Sequence, residues 1–142
     1  EEQVHVHEPV SFEGIRGRMA DLQVEIEGRG FGTFTISVAA DGRHHTDIIY
    51  DEEREILTFD RTCSGLRRDV VCVRSMPDSG REGKVSLRIL LDRYSVEIFA
   101  NGGESVMTSL ITTPQEADSI RFSSDGGVQA NIRMYPIRKE KQ

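Results

Sequence analysis

The sequence predicts an all-β protein, an antiparallel two-sheet β-sandwich. Three observations carry that expectation. Apolar and polar residues alternate in short runs from residue 21 to residue 135, turn-forming pairs separate the runs, and helical spacing is nearly absent. Period-2 alternation places one face of a strand in a core and leaves the other wet.

The elements follow in order. Over residues 21–27, Leu22, Val24 and Ile26 alternate with Asp21, Gln23, Glu25 and Glu27. Phe34, Ile36 and Val38 repeat the pattern against Thr33, Thr35 and Ser37, and Asp41-Gly42 then offers a hairpin turn. Further strands are expected at 45–51, 55–60, 70–74, 85–91, 94–100, 105–110, 119–123 and 128–135. Asp92-Arg93, Asn101-Gly102-Gly103 and Asp125-Gly126-Gly127 mark turns. Thr113 and Pro114 suit the cap and first position of a single helical turn over 113–117. The segment 75–83, with Pro77, Gly80 and Gly83, reads as the longest loop. The expected core includes Leu22, Val24, Ile26, Phe34, Ile36, Val38, Leu87, Ile89, Val96, Ile98, Ile120 and Ile132. Residues 1–15 read as a lead-in segment and 16–142 as one sandwich domain.

Composition narrows the function. The 142 residues carry 18 basic and 24 acidic side chains, a net charge of −6. Residues 1–60 hold 14 acids against 5 bases, and the bases of the second half are scattered. No basic face with interleaved aromatics is expected, which argues against a nucleic-acid partner. No run approaches the ~18 apolar residues of a membrane span. The chain opens Glu1-Glu2-Gln3, without initiator Met or signal-peptide pattern, which reads as a boundary or processed end. The compartment stays open, with the cytoplasm slightly favoured over secretion.

Chemistry-bearing motifs are few. Cys63 and Cys72 are too few for a disulfide framework and lack CxxC spacing, although a bridge between them stays open. His5 and His7 share one face of an extended segment, but no further ligand completes a metal set; His44 and His45 follow a turn. Asp51-Glu52-Glu53 reads as a solvated tip. No P-loop, GxSxG elbow or GxGxxG is present. No catalytic residue, substrate-binding residue, metal ligand or cofactor is expected.

The hairpin built on Asp92-Arg93 is more informative. Val96 and Ile98 fall on one face, and Ser95, Glu97 and Phe99 on the other. A carboxylate between apolar neighbours is costly unless an Arg or backbone donors meet it. Arg61 and Arg93 are the candidates, so Asp60, Arg61, Asp92, Arg93 and Glu97 form an expected structural polar network. A clamp for sugar hydroxyls is the functional alternative.

Leu90-Leu91-Asp92-Arg93-Tyr94-Ser95-Val96-Glu97-Ile98-Phe99-Ala100-Asn101-Gly102-Gly103 resembles the signature hairpin of the C-terminal sandwich in glycoside hydrolase family 32. Phe59-Asp60-Arg61-Thr62-Cys63-Ser64-Gly65 and Ile132-Arg133-Met134-Tyr135-Pro136-Ile137 resemble other segments of that domain. The resemblance implies a sandwich of concanavalin A-like or jelly-roll type. It also implies a separate N-terminal catalytic propeller, with an Asn-Asp-Pro-Asn nucleophile, an Arg-Asp-Pro aspartate and a Glu-Cys acid/base. Pro9, Pro77, Pro114 and Pro136 follow Glu8, Met76, Thr113 and Tyr135, so no Asp-Pro exists; Cys63 and Cys72 follow Thr62 and Val71, so Glu-Cys is absent.

The resemblance therefore implies a non-catalytic accessory domain that packs on the propeller of a sucrose- or fructan-hydrolysing parent, with homo-oligomer contacts left open. A fructan-binding module is the alternative, and a stand-alone protein-interaction sandwich is a third. The chain has no Trp, three Tyr and six Phe, and Tyr50, Tyr94 and Tyr135 are the expected stacking residues.

Overall fold

A computed structural model describes residues 2–5, 15–28, 30–61, 73–77, 84–101, 105–111, 113, 116–126 and 128–136. Eleven strands and no helix occur among these residues. They are β1 (Glu2–His5), β2 (Ala20–Glu27), β3 (Thr33–Ala40), β4 (Thr46–Asp51), β5 (Ile56–Asp60) and β6 (Val73–Pro77), then β7 (Lys84–Leu91), β8 (Ser95–Ala100), β9 (Ser105–Leu110), β10 (Ser119–Ser124) and β11 (Gln129–Pro136). Two antiparallel sheets result, one ordered β1-β11-β2-β7-β8-β9 and the other β10-β3-β4-β5-β6.

Alternation decides which side of each strand meets the other sheet. Leu22, Val24 and Ile26 are buried and face inward with Leu87, Ile89, Val96, Ile98 and Ile132 of the same sheet. Phe34, Ile36, Val38, Ile48, Leu57, Phe59, Ile120 and Phe122 supply the opposing half of the core. All twelve expected core residues are buried. Apolar burial of this kind contributes about 1.5–3 kcal/mol for each large side chain. The Phe34 and Phe122 rings meet across the β3–β10 pair with centroids 6.4 Å apart.

Local chemistry sets the corners. Asp41 Oδ1 accepts the N–H groups of Arg43 at 2.7 Å and His44 at 2.6 Å, and the Asp41 N–H donates to the His44 carbonyl at 2.9 Å. An Asx-type turn of this sort lets the side chain satisfy the corner backbone. Ala39 has φ +48° and the β3–β10 register shifts beside it, so Val38, Ala39 and Ala40 are all buried and the alternation breaks. Gly32, at φ +81°, lies where a Cβ would stand 2.8 Å from Asp125 Oδ2. That oxygen accepts from the Thr33 N–H and the Thr33 hydroxyl.

Several expectations shift. Of the strand expected at 70–74, residues 73 and 74 lie in β6 (Val73–Pro77), which pairs with β5 by matching Asp60 to Val73 and Ile56 to Pro77, and residues 70–72 lie outside the described residues. Val73-Pro77 therefore takes in residues 75–77, which read as loop. Pro77 is tolerated because β6 is an edge strand and Pro has no N–H to donate. Within the expected lead-in, Glu2–His5 adds the outer strand beside β11. The Asp51-Glu52-Glu53 run is more than a solvated tip. Glu52 accepts from the N–H of Gly30 at 2.9 Å and of Phe31 at 3.0 Å, tying the β2–β3 connection to the β4–β5 turn. Cys63, Cys72, His7 and Pro114 lie outside the described residues. No helix among the described residues is long and apolar enough to cross a membrane.

Candidate functional site

Strand register lays the outward side chains of the six-stranded sheet in rows. In one row Arg133 pairs with Gln23, Gln23 with Arg88, Arg88 with Phe99 and Phe99 with Val106. A neighbouring row runs from Asn131 through Glu25 to Ser86. All of these residues except Val106 line a groove of about 470 Å³ on the outer face. That volume lies within the ~300–1,000 Å³ common for ligand sites.

The groove is organised by charge. Arg88 grips Asp21 with two bonds, Nε to Oδ1 at 3.0 Å and Nη2 to Oδ2 at 2.7 Å, and this contact raises the Arg88 pKa. The bidentate fork fixes the guanidinium plane as a single ammonium contact would not. Lys84 Nζ lies 3.4 Å from Glu25 Oε1 on the same face. Phe99 is half-buried and outward, so its ring supplies the apolar element of the groove. Asn131 Oδ1 is buried and accepts no hydrogen bond from the described residues. A buried acceptor left without a donor costs about 1–3 kcal/mol.

The residues expected to form a polar network are spread over both sheets. Asp60 ends β5, half-buried, with Arg61 following it. Asp92 and Arg93 are exposed in the β7–β8 turn, where Asp92 Oδ1 accepts the Arg93 N–H at 2.7 Å. Glu97 is half-buried in β8 between Leu90 and Thr108, on the outer face with Ser95 and Phe99. The structure thus brings Asp92 and Arg93 together and sets Asp60 and Glu97 in different sheets.

Tyr94 and Tyr135 are 65% and 50% exposed and remain available for stacking, whereas Tyr50 is 3% exposed and packs against Phe31. Tyr50 therefore leaves the set of stacking candidates, because its position in β4 points it inward. His44 Nδ1 lies 3.2 Å from both Asp41 oxygens, and His45 Nδ1 lies 2.9 Å from Asp47 Oδ1. No group of three or more metal-ligating side chains occurs among the described residues.

Sequence reasoning passed over Arg18, Asn131 and the outward Phe99 as functional residues. Asn131 and Phe99 could have been found only by adding cross-strand register to their outward phase. Nothing in the surrounding sequence marks Arg18 as buried.

Residues 1–136 match the family described as the C-terminal part of glycosyl hydrolases family 32. The chain belongs to that family. A probable sucrose-6-phosphate hydrolase of Vibrio cholerae is 34% identical over 93 residues, covering 66% of this chain and 16% of that protein. A levanase of Bacillus subtilis is 27% identical over 146 residues, covering 92% of this chain and 21% of that protein. The exo-inulinase of Aspergillus awamori superimposes with a TM-score of 0.82 at 23% identity, covering 97% of this chain and 28% of that one, a likeness of fold. The chain thus spans about a fifth of the length of these two curated relatives. As a family 32 C-terminal domain it is the accessory part of such hydrolases, and the motifs of their chemistry are absent from its sequence.

Proposed function

We propose that this domain serves a longer β-fructosidase-type hydrolase, packing on an N-terminal catalytic propeller of the same chain and stabilising it. One observation carries the reading: a match to the C-terminal unit over residues 1–136, beside relatives of which this chain covers only 16–21%. In family 32 relatives the unit is attached to an N-terminal catalytic domain. Sucrose 6-phosphate, levan and inulin are the substrate classes that the relatives' names bring forward, and sucrose is a further candidate.

The test compares the longer hydrolase with a form truncated before this domain. The expected result is a lower melting temperature and faster thermal loss of fructose release in the truncated form. The 142-residue chain alone should release no fructose from sucrose, levan or inulin. A truncated hydrolase as stable as the intact one would overturn the stabilising role.

A further inference from the structure

We propose that the groove on the outer face of the six-stranded sheet is a saccharide-binding site. Its ligand class is a short hydroxyl-rich chain, of fructose units if the reading above holds. Three features point to that chemistry. Asn131 lines the groove and carries an acceptor, Oδ1, that no donor among the described residues satisfies, so it suits an O–H donor brought by a ligand. Gln23, Glu25 and Ser86 add donors and acceptors in adjoining rows, and Arg88 is already held in place by Asp21. Phe99 offers a ring beside them, an apolar surface against which the C–H face of a sugar can pack.

A hydroxyl-rich ligand fits this lining better than a protein partner does. The buried centre of a protein interface is depleted in charged residues, whereas this groove is lined by Glu25, Arg88 and Arg133. Preorganisation also lowers the ordering cost of binding, because the Arg88 fork is fixed before a ligand arrives.

Calorimetric or NMR titration of the 142-residue protein with 1-kestose and with short inulin- and levan-type oligosaccharides tests the proposal, with cello-oligosaccharides as the comparison. Saturable binding to the fructose series is expected, weakened at least tenfold by Asn131→Ala. Ser86→Trp is the second variant; Ser86 is exposed and its backbone contact to Asn101 does not involve its side chain. It should fill the groove, abolish binding and leave the melting temperature unchanged. Tighter binding of cello-oligosaccharides would keep the groove as a saccharide site and remove fructose as its ligand. No saturable binding by the wild type, or binding indifferent to Ser86→Trp, would overturn the groove. A domain that binds no saccharide yet still stabilises its catalytic partner overturns this inference alone. One that binds saccharide but gives no such stabilisation overturns only the accessory reading.

Discussion

The buried guanidinium of Arg18 donates a 2.7 Å hydrogen bond to the main-chain carbonyl of Arg93. Its Nη1 also reaches the carbonyls of Thr113, at 3.1 Å, and Ala117, at 3.5 Å. One side chain thereby ties the entry to β2, the β7–β8 turn and the segment before β10 together. Burial lowers the Arg18 pKa, and Asp118 and Glu116 oppose that shift. Arg93, expected to act through its own side chain, serves this junction through its backbone.

Arg18→Met keeps much of the volume and removes every donor. Unsatisfied buried carbonyls should then cost about 2–4 kcal/mol in total. For a domain of this size, each kcal/mol lowers the melting temperature by roughly 4 °C. Arg18→Lys should recover only part of the loss, because an ammonium cannot reproduce the fork. Thermal melts of the three proteins check this, and wild-type melting in Arg18→Met would refute the junction.

Acid should loosen the β3–β4 hairpin through Asp41. Backbone bonds from Arg43 and His44, then the His44 side chain, hold the Asp41 pKa at about 2, below its ordinary 3.8. A depressed acid pKa stabilises fully above the ordinary value, and the contribution fades as pH falls through the lowered one. The loss therefore belongs between about pH 4 and pH 2. Asp41→Asn should show a shallower decline of urea midpoint across that window. Parallel declines in the two proteins would assign the acid sensitivity elsewhere.

Phe122 is completely buried against Phe34. Phe122→Ala should cost about 3–5 kcal/mol, the usual loss for a large ring in a packed core. Chemical denaturation measures it directly. A loss below about 1 kcal/mol would mean that the two sheets close over the space.

For Glu97 the proposal is that Arg61 or Arg93 holds it and so fixes strand register. The side chain is half-buried on the outer face, so screening should limit the cost of Glu97→Gln to about 1 kcal/mol. Unchanged melting would end that proposal. If the same variant lost saccharide binding, Glu97 would belong with the groove as a hydroxyl clamp.

Much of the fold was legible because burial follows period-2 alternation, and alternation is a property of neighbouring residues. Leu22, Val24 and Ile26, like Phe34, Ile36 and Val38, announce their inward faces before any partner is known. The turns at Asp41 and Asp92 were legible for the same reason, since a side chain bonds backbone only a few residues away. The absence of Asp-Pro and Glu-Cys, the dipeptides that the family resemblance implies for the catalytic propeller, was likewise readable in the sequence.

What lay beyond the sequence depends on pairing across long separations. The register of β6 at Val73–Pro77 is set by β5, which matches Asp60 to Val73 and Ile56 to Pro77. Arg18 became buried because carbonyls 75 to 99 residues away converge on it. The groove needs β11, β2, β7 and β8 side by side, an order that places residue 131 beside 25 and residue 25 beside 86. Alternation says which way each of those side chains points. Only hydrogen bonding between distant strands decides which of them share a surface.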